Sequence, residues 1–111
     1  MKKENVIAAS KILFNAKLNA QQLIDLNTKI KPKNIFEAYQ IQDELKINYL
    51  SLKNNITIGK KVGCTNNFAQ KQLNVFEPFY GNLFSKFSNV NGCILKSSKF
   101  FKPFIEPEIS F

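Results

Sequence analysis

Histidine and arginine are both absent from this sequence of 111 residues, and each absence excludes a class of site. Without histidine, the chain cannot hold a Ser-His-Asp triad, a Cys-His dyad or a histidine-bearing zinc motif of its own. Without arginine, it lacks the side chain that best recognises phosphates and guanines through paired hydrogen bonds. The two cysteines, Cys64 and Cys93, lack the short spacing of a zinc knuckle or a redox C-x-x-C pair. Each is more typical of a small buried thiol in a reducing compartment.

Long apolar runs are scarce as well. The stretch 6–14 is interrupted by Ser10 and Lys11, and no A-x-A cleavage pattern follows it, so a secretory signal is not predicted. No run approaches the ~20 apolar residues that a membrane-spanning helix needs. The sequence therefore predicts a cytoplasmic protein with no membrane partner.

Positive charge is the main bulk property of the chain. All 16 basic residues are lysines, and with 8 acidic residues they give a formal net charge of +8. Such an excess is typical of a protein that binds a polyanion. The lysines, however, are spread from Lys2 to Lys102 instead of being gathered on one helix. We therefore favour a compositional bias of the source over a nucleic-acid surface, with a small basic binding module as the alternative.

Two helices are predicted in the first half of the chain. Residues 4–18 carry apolar side chains at three- and four-residue steps, the period of an amphipathic helix. A second helix is predicted to begin after Asn34, a good N-cap residue, because Glu37 three positions later completes a capping-box pattern. This helix is expected to end near residues 54–55. Between the helices, residues 19–33 are predicted to form a connector with a short turn around residues 21–26.

Short strands dominate the prediction for the second half. Residues 56–64 combine β-branched side chains with two glycines, which is typical of a strand that bends or approaches another group closely. A short helix is predicted over residues 66–73 and an extended segment over residues 78–83. Further strands are predicted over residues 92–95 and 100–111. Helices that precede strands in this way predict an α+β fold.

The chain divides, on this pattern, into a helical N-terminal region of residues 1–55 and the start of a β-rich domain, residues 56–111. The last predicted strand is apolar, and its exposed edge would invite pairing with another chain. We therefore interpret Phe111 as a truncation point and the second region as incomplete.

Two carboxylates, Glu106 and Glu108, stand two positions apart in this last segment. In a strand, residues i and i+2 point to the same face, so the carboxylates would lie side by side, about 6–7 Å apart at the backbone. Two like charges at that distance are unfavourable unless a cation or solvent offsets them. Mg²⁺ and Mn²⁺ prefer oxygen ligands, which makes the pair a candidate metal site. The alternative is a solvent-facing strand whose charges point outward.

Four short motifs follow one another along the chain: AYQIQ at residues 38–42, GKKVGCT at 59–65, PFYGNL at 78–83 and IEPEISF at 105–111. Together they resemble the N-terminal part of the 2-keto-4-pentenoate hydratase group, within the fumarylacetoacetate hydrolase superfamily. The resemblance implies N-terminal helices followed by the first strands of a fumarylacetoacetate-hydrolase-like β fold, here truncated.

The resemblance also implies a function. It points to a metal-dependent lyase that adds water to 2-hydroxypenta-2,4-dienoate and related 2-keto acids in aromatic catabolism, with a homo-oligomeric full-length form. A divalent cation, Mg²⁺ or Mn²⁺, would act as a Lewis acid on the chelating oxygens of the substrate. A 2-oxo-3-hexenedioate-type decarboxylase of the same family and a non-catalytic remnant are the alternatives.

The same resemblance assigns three site residues. Glu106 and Glu108 would be metal ligands, and a third acidic ligand is expected beyond Phe111. Lys61, in the G-x-K-x-G motif, is the candidate catalytic residue, which would bind the substrate carboxylate or assist proton transfer if its pKa were lowered. We expect an open, electronegative carboxylate pair with Lys61 within reach. If the two side chains diverged, or if either one were paired with a lysine in a closed surface bridge, the metal interpretation would fail. Substrate-binding residues are not identified, and the chain alone is expected to be inactive.

Overall fold

The computed structural model describes residues 1–23 and 25–111. Its elements, in chain order, are the helices and strands α1 Lys3–Leu18, α2 Ile35–Leu50, β1 Thr57–Gly63, α3 Asn67–Leu73 and β2 Phe79–Phe84, followed by the 3₁₀ turns Ser85–Phe87 and Ser97–Lys99. Helices and a small antiparallel sheet confirm the predicted α+β class. No helix within the described ranges has the length and apolar character needed to cross a membrane.

The main core lies between α1 and α2. Val6 and Ala9 from α1 and Ile41 from α2 are buried, with Leu13 packed against them. The helical spacing of these residues thus places one stripe of each helix in the interface. Ser10 is also buried there, where its hydroxyl donates to the Ile7 carbonyl at 2.9 Å and accepts from Asn48 Nδ2 at 3.1 Å. This link satisfies a buried hydroxyl that would otherwise oppose helix packing.

The start of α2 carries the predicted cap with one change. Asn34 Oδ1 accepts the Glu37 backbone N–H at 2.9 Å, as an N-cap residue should. The Glu37 carboxylate, however, accepts the backbone N–H of Lys33 at 2.8 Å instead of that of Asn34. It also pairs with the N-terminal ammonium of Met1 at 3.2 Å. These donors hold the pKa of Glu37 below its usual value, chiefly through the hydrogen bond from Lys33.

β1 and β2 form a two-stranded antiparallel sheet in the described chain. In its register Lys61 lies opposite Gly81 and Val62 lies opposite Tyr80, with an irregularity between Thr57 and Gly59. Since opposite residues share a face of the sheet, Lys61 and Tyr80 project from different faces.

Aromatic side chains join the helices to this sheet. The ring of Tyr49, on α2, lies 4.9 Å from Phe84 at the end of β2 and 5.3 Å from Phe14 on α1. Phe87 completes the cluster, 5.4 Å from Tyr49. Aromatic pairs at these separations stabilise a fold beyond the area that they bury. Burial raises the pKa of the Tyr49 hydroxyl.

Asn55 connects the end of α2 to the end of β2. Its side chain is buried, donates to the Tyr49 carbonyl at 2.8 Å and accepts from the backbone N–H of Lys86 at 3.0 Å. Ser85 Oγ adds a longer bond of 3.3 Å to the same oxygen. One amide group therefore fixes three chain segments relative to one another.

Two predicted strands are wrong. Residues 92–95 and 103–111 adopt no regular secondary structure, and a 3₁₀ turn occupies Ser97–Lys99. The apolar side chains that suggested a buried strand are exposed instead, with Phe104 at 92% and Ile105 at 96%. A strand needs a partner for its backbone N–H and C=O groups, and the described sheet pairs β1 only with β2.

Smaller differences concern element ends. Helix α2 ends at Leu50, and turns replace the predicted helical residues as far as 54. In the connector, described turns lie at residues 19–20 and 28–30. Residue 24, within the turn predicted at residues 21–26, lies outside the described residues.

Candidate functional site

Lys61 and the two predicted metal-ligating glutamates come together, although 45 positions separate Lys61 from Glu106. The Lys61 ammonium nitrogen lies 3.0 Å from Glu106 Oε2 and 2.9 Å from Glu108 Oε1. Both carboxylates therefore converge on one cationic atom. The segment that carries them is not a strand, so the i, i+2 geometry of a strand does not account for this convergence.

The face of the sheet from which Lys61 projects carries three glycines beside it, and Leu83 and Phe79 lie diagonally across from it. Its neighbours two positions away in β1 are Gly59 and Gly63, and its partner in β2 is Gly81. A Cβ atom at Gly81 would meet no other atom within 4 Å, so the space beside Lys61 is open. At Gly63 the situation is different, since a Cβ would lie 3.1 Å from the Phe79 ring. The glycines thus leave open space across from the Lys61 backbone at Gly81 and permit close packing of the Phe79 ring at the strand end.

The opposite face of the sheet is held by α2. Tyr39 Oη accepts the backbone N–H of Tyr80 at 3.2 Å, and Gln42 Nε2 donates to the Tyr80 carbonyl at 2.9 Å. Gln42 Oε1 also accepts from Asn82 Nδ2 at 3.1 Å. The Tyr39 and Tyr80 rings are stacked 4.9 Å apart, and the Lys60 ammonium lies 4.2 Å from the centre of the Tyr80 ring. We call Tyr39 and Gln42 the α2 clamp.

The α2 clamp gives a physical role to the AYQIQ motif. Tyr39 and Gln42 satisfy both backbone groups of Tyr80, which neighbours the partner of Lys61 in the register of the sheet. Neither residue was predicted to support the site. The motif itself was the available signal, but its partner is a main-chain group 38 to 41 positions away, which no side-chain pattern reveals.

The far end of β1 is fixed by α3. Asn66 Oδ1 caps this helix by accepting the Ala69 N–H at 2.9 Å, and Gln70 Nε2 donates to the Cys64 carbonyl at 2.9 Å. Cys64 itself adopts a left-handed backbone with φ of 55°. A non-glycine residue in that region is strained by about 1–3 kcal/mol, so the contacts of α3 must hold it there.

The electrostatics of Lys61 differ from one expectation. Its two carboxylate partners, Glu108 first and then Glu106, raise the pKa of the ammonium. The proton-transfer role suggested for a lysine of lowered pKa is therefore not supported by this arrangement. All three side chains are substantially exposed, at 44% for Lys61, 69% for Glu106 and 48% for Glu108. Solvent screens ion pairs of this kind, so the pairing directs geometry more than it stabilises the fold.

The prediction of an open, electronegative carboxylate pair is wrong, because the Lys61 ammonium closes it. By the criterion given above, that closure argues against metal binding in this arrangement. The donor chemistry nevertheless fits a hard cation, since one oxygen from each carboxylate reaches a common point within 3.0 Å. Among the described residues no cluster of three or more acidic, cysteine or histidine side chains forms, so the pair provides at most two carboxylate ligands. Metal ligation by Glu106 and Glu108 stays a prediction.

In sequence, the chain is similar to two kinds of enzyme. A 4-oxalocrotonate decarboxylase from a Pseudomonas species is 29% identical over 109 residues, which cover 98% of this chain and 41% of the relative. A 2-keto-4-pentenoate hydratase from Paraburkholderia xenovorans is 30% identical over 103 residues, or 93% of this chain and 38% of the relative. The chain is a homologue of these enzymes. The resemblance predicted from the four motifs is thereby confirmed, although no family model matches.

Solved structures agree with the sequence comparison. A 4-oxalocrotonate decarboxylase from Pseudomonas putida, complexed with calcium and acetate, superposes with a TM-score of 0.81 at 27% identity. The match covers 91% of this chain and 39% of that structure. A second structure of the enzyme, complexed with magnesium and adipate, gives a TM-score of 0.69 at 26% identity. The homologous enzyme thus binds divalent cations in its crystals.

These comparisons limit what transfers to this chain. The chain spans about two-fifths of the length of the relatives that it matches, 41% and 38% for the two enzymes above. Decarboxylases and hydratases both match, so the expected preference for a hydratase over a decarboxylase has no support from the relatives.

Proposed function

We propose that this chain provides the lysine and two of the carboxylate ligands of a divalent-metal-dependent lyase that acts on small 2-keto acids. The observation that carries the proposal is the meeting of Lys61 with Glu106 and Glu108 at 2.9–3.0 Å, on a chain homologous to such enzymes. In this proposal, residues 1–55 form a helical support and residues 56–111 begin a fumarylacetoacetate-hydrolase-like catalytic region.

Each residue has a chemical task in the proposal. Glu106 and Glu108 would hold Mg²⁺ or Mn²⁺, because carboxylate oxygens are the ligands that these hard cations prefer. When bound, the metal would supply Lewis-acid stabilisation of negative charge on the substrate oxygens. Lys61 would bind the substrate carboxylate as an ammonium, because a lysine side chain is protonated at neutral pH.

The proposed enzyme would catalyse one of two reactions, hydration or decarboxylation. Water addition to 2-hydroxypenta-2,4-dienoate and loss of CO₂ from a 2-oxo-3-hexenedioate both begin with a 2-keto acid or its dienol, in which neighbouring oxygens can chelate a metal. Relatives of both kinds match over nearly the whole chain, so both reactions belong to the proposal.

The experiment is a chimaera, because the relatives are more than twice as long as the matched region. Residues 1–111 replace the matched segment of the Pseudomonas decarboxylase in one fusion and of the Paraburkholderia hydratase in another. Each fusion is assayed with Mg²⁺ or Mn²⁺, by loss of the conjugated absorbance of the dienol and by release of CO₂. We expect turnover in at least one fusion, while the 111-residue chain alone gives none.

Matched variants decide whether the proposed residues are responsible. Glu106→Gln, Glu108→Gln and Lys61→Met should each lower turnover by at least about tenfold, the size of one lost electrostatic contact of about 1.4 kcal/mol. Lys60→Met removes a neighbouring lysine of equal charge that contacts Tyr80 instead of the carboxylates, and should retain activity. Two folded fusions without turnover, or a Lys61→Met fusion with full turnover, would contradict the proposal.

A further inference from the structure

The charged side chains of Lys61, Glu106 and Glu108 meet in the candidate site. The Lys61 nitrogen lies 3.0 Å from Glu106 Oε2 and 2.9 Å from Glu108 Oε1, so the ammonium occupies the position on which both carboxylates converge. A divalent cation held by the same two oxygens would need them at about 2.0–2.6 Å from its centre. Two cations cannot occupy that position together, because both need the same oxygens and repel each other.

We infer that the Lys61 ammonium and a divalent cation exchange at the Glu106–Glu108 pair, so that metal binding releases the ammonium toward an incoming carboxylate. The inference rests on the proposed function for the identity of that carboxylate, a 2-keto acid. Before metal binds, Lys61 thus neutralises the negative charge of the Glu106–Glu108 pair.

The surroundings of Lys61 allow the ammonium to move. Its side chain is 44% exposed, and its direct partner in β2, Gly81, has no side chain that would block its movement, although Leu83 and Phe79 lie diagonally across on the same face. The open space at Gly81 lies directly across the strand pair from the backbone of Lys61. Release therefore requires a change of side-chain rotamers and no rearrangement of the sheet.

Lys60 provides an internal contrast. It neighbours Lys61 in β1 and carries the same charge, but its ammonium lies over the Tyr80 ring at 4.2 Å, on the face held by the α2 clamp. Replacing either lysine changes the net charge by the same amount. A difference between the two variants therefore reports position and not overall charge.

The first measurement is Mn²⁺ binding to the 111-residue chain, by isothermal titration and by water-proton relaxation. Removing a competing ammonium about 3 Å from the ligand oxygens should tighten binding by about tenfold or more. We expect that increase in Lys61→Met and in Lys61→Gln, whereas Lys60→Met stays within about twofold of wild type. Circular dichroism checks that every variant is folded.

Glutamate variants separate failure of the exchange from failure of the metal site. If Glu106→Gln and Glu108→Gln lose Mn²⁺ but both Lys61 variants bind no more tightly than wild type, the exchange is overturned and the metal site stands. If neither wild type nor a Lys61 variant binds Mn²⁺, both the proposed metal site and the exchange are overturned.

The second measurement follows the chemical accessibility of the Lys61 side-chain nitrogen. Acetylation of each lysine is quantified by mass spectrometry with and without saturating Mg²⁺, which is diamagnetic and redox-inert. Release predicts a several-fold faster modification of Lys61 with Mg²⁺, and an unchanged rate at Lys60. Equal rates at Lys61 in both conditions, where Mg²⁺ binding is measured independently, would overturn the inference.

Discussion

Gln42 makes the most testable contact between the helical region and the sheet that carries Lys61. Its amide donates to the Tyr80 carbonyl at 2.9 Å and accepts from Asn82 Nδ2 at 3.1 Å. A hydrogen bond contributes a net 0.5–1.5 kcal/mol, so Gln42→Ala removes about 1–3 kcal/mol from the two bonds together. Gln42 is only partly buried, and water can replace part of what is lost, so we expect about 1–2 kcal/mol.

Urea unfolding followed by far-UV circular dichroism measures this change. The midpoint should fall at an unchanged slope, and the melting temperature should fall by about 4–8 °C, since 1 kcal/mol corresponds to about 4 °C for a domain of this size. Asp43→Ala alters the next, exposed residue of α2 and should change stability by no more than about 0.5 kcal/mol.

A double-mutant cycle tests the specific contact. Asn82→Ala alone should cost less than Gln42→Ala, and the two together should show a coupling energy of about 0.5–1 kcal/mol. Amide exchange should also accelerate in β2 when Gln42 is replaced, because that strand loses part of its attachment to α2. Additive effects, or a Gln42→Ala protein as stable as wild type, would refute the α2 clamp as a stabilising contact.

Three further predictions concern stability. Tyr39→Phe keeps the ring stacked on Tyr80 but removes the acceptor of its backbone N–H, and should cost about 1 kcal/mol in the same urea assay. Asn55→Ala removes two hydrogen bonds of a buried amide and leaves the Lys86 N–H without this acceptor, and should cost about 1–3 kcal/mol in thermal unfolding. The pKa of Glu37 lies below its usual 4.5. The contribution of its ionised carboxylate to the stability of the folded state is therefore complete above pH 4.5 and is lost as the pH falls through the lowered pKa. Glu37→Gln should therefore be less stable than wild type at neutral pH, and this difference should shrink in acid unfolding titrations.

The helices and the strand that were predicted correctly are marked by sequence patterns that span only a few residues. The cap at Asn34, the apolar stripes of α1 and α2, and the β-branched residues of β1 act over a few positions, so the sequence displays them directly. The wrong strands, at residues 92–95 and 100–111, had a suitable composition but no partner strand in the described chain. Composition alone does not report whether a partner exists, because pairing depends on residues distant in sequence.

The sequence predicted which residues form the candidate site, but it did not predict their geometry. The motifs identified Lys61, Glu106 and Glu108, whereas the salt bridge between them and the direction of the Lys61 pKa shift required coordinates. The spacing argument assumed a strand that is absent, yet the carboxylates still converge, because a cationic side chain attracts both.

Contacts at the candidate site cross the predicted boundary between a helical region and a β-rich region. Lys61 is positioned by β1, the register of β1 is set by β2, and β2 is attached to α2 through Tyr39 and Gln42. Tyr49 and Asn55 make a second connection at the other end of the same strand. A mutation in α2 that leaves the helix folded should therefore still alter the position of the Lys61 ammonium, because α2 contacts β2 and β2 pairs with β1. The helical region therefore helps to position the candidate site.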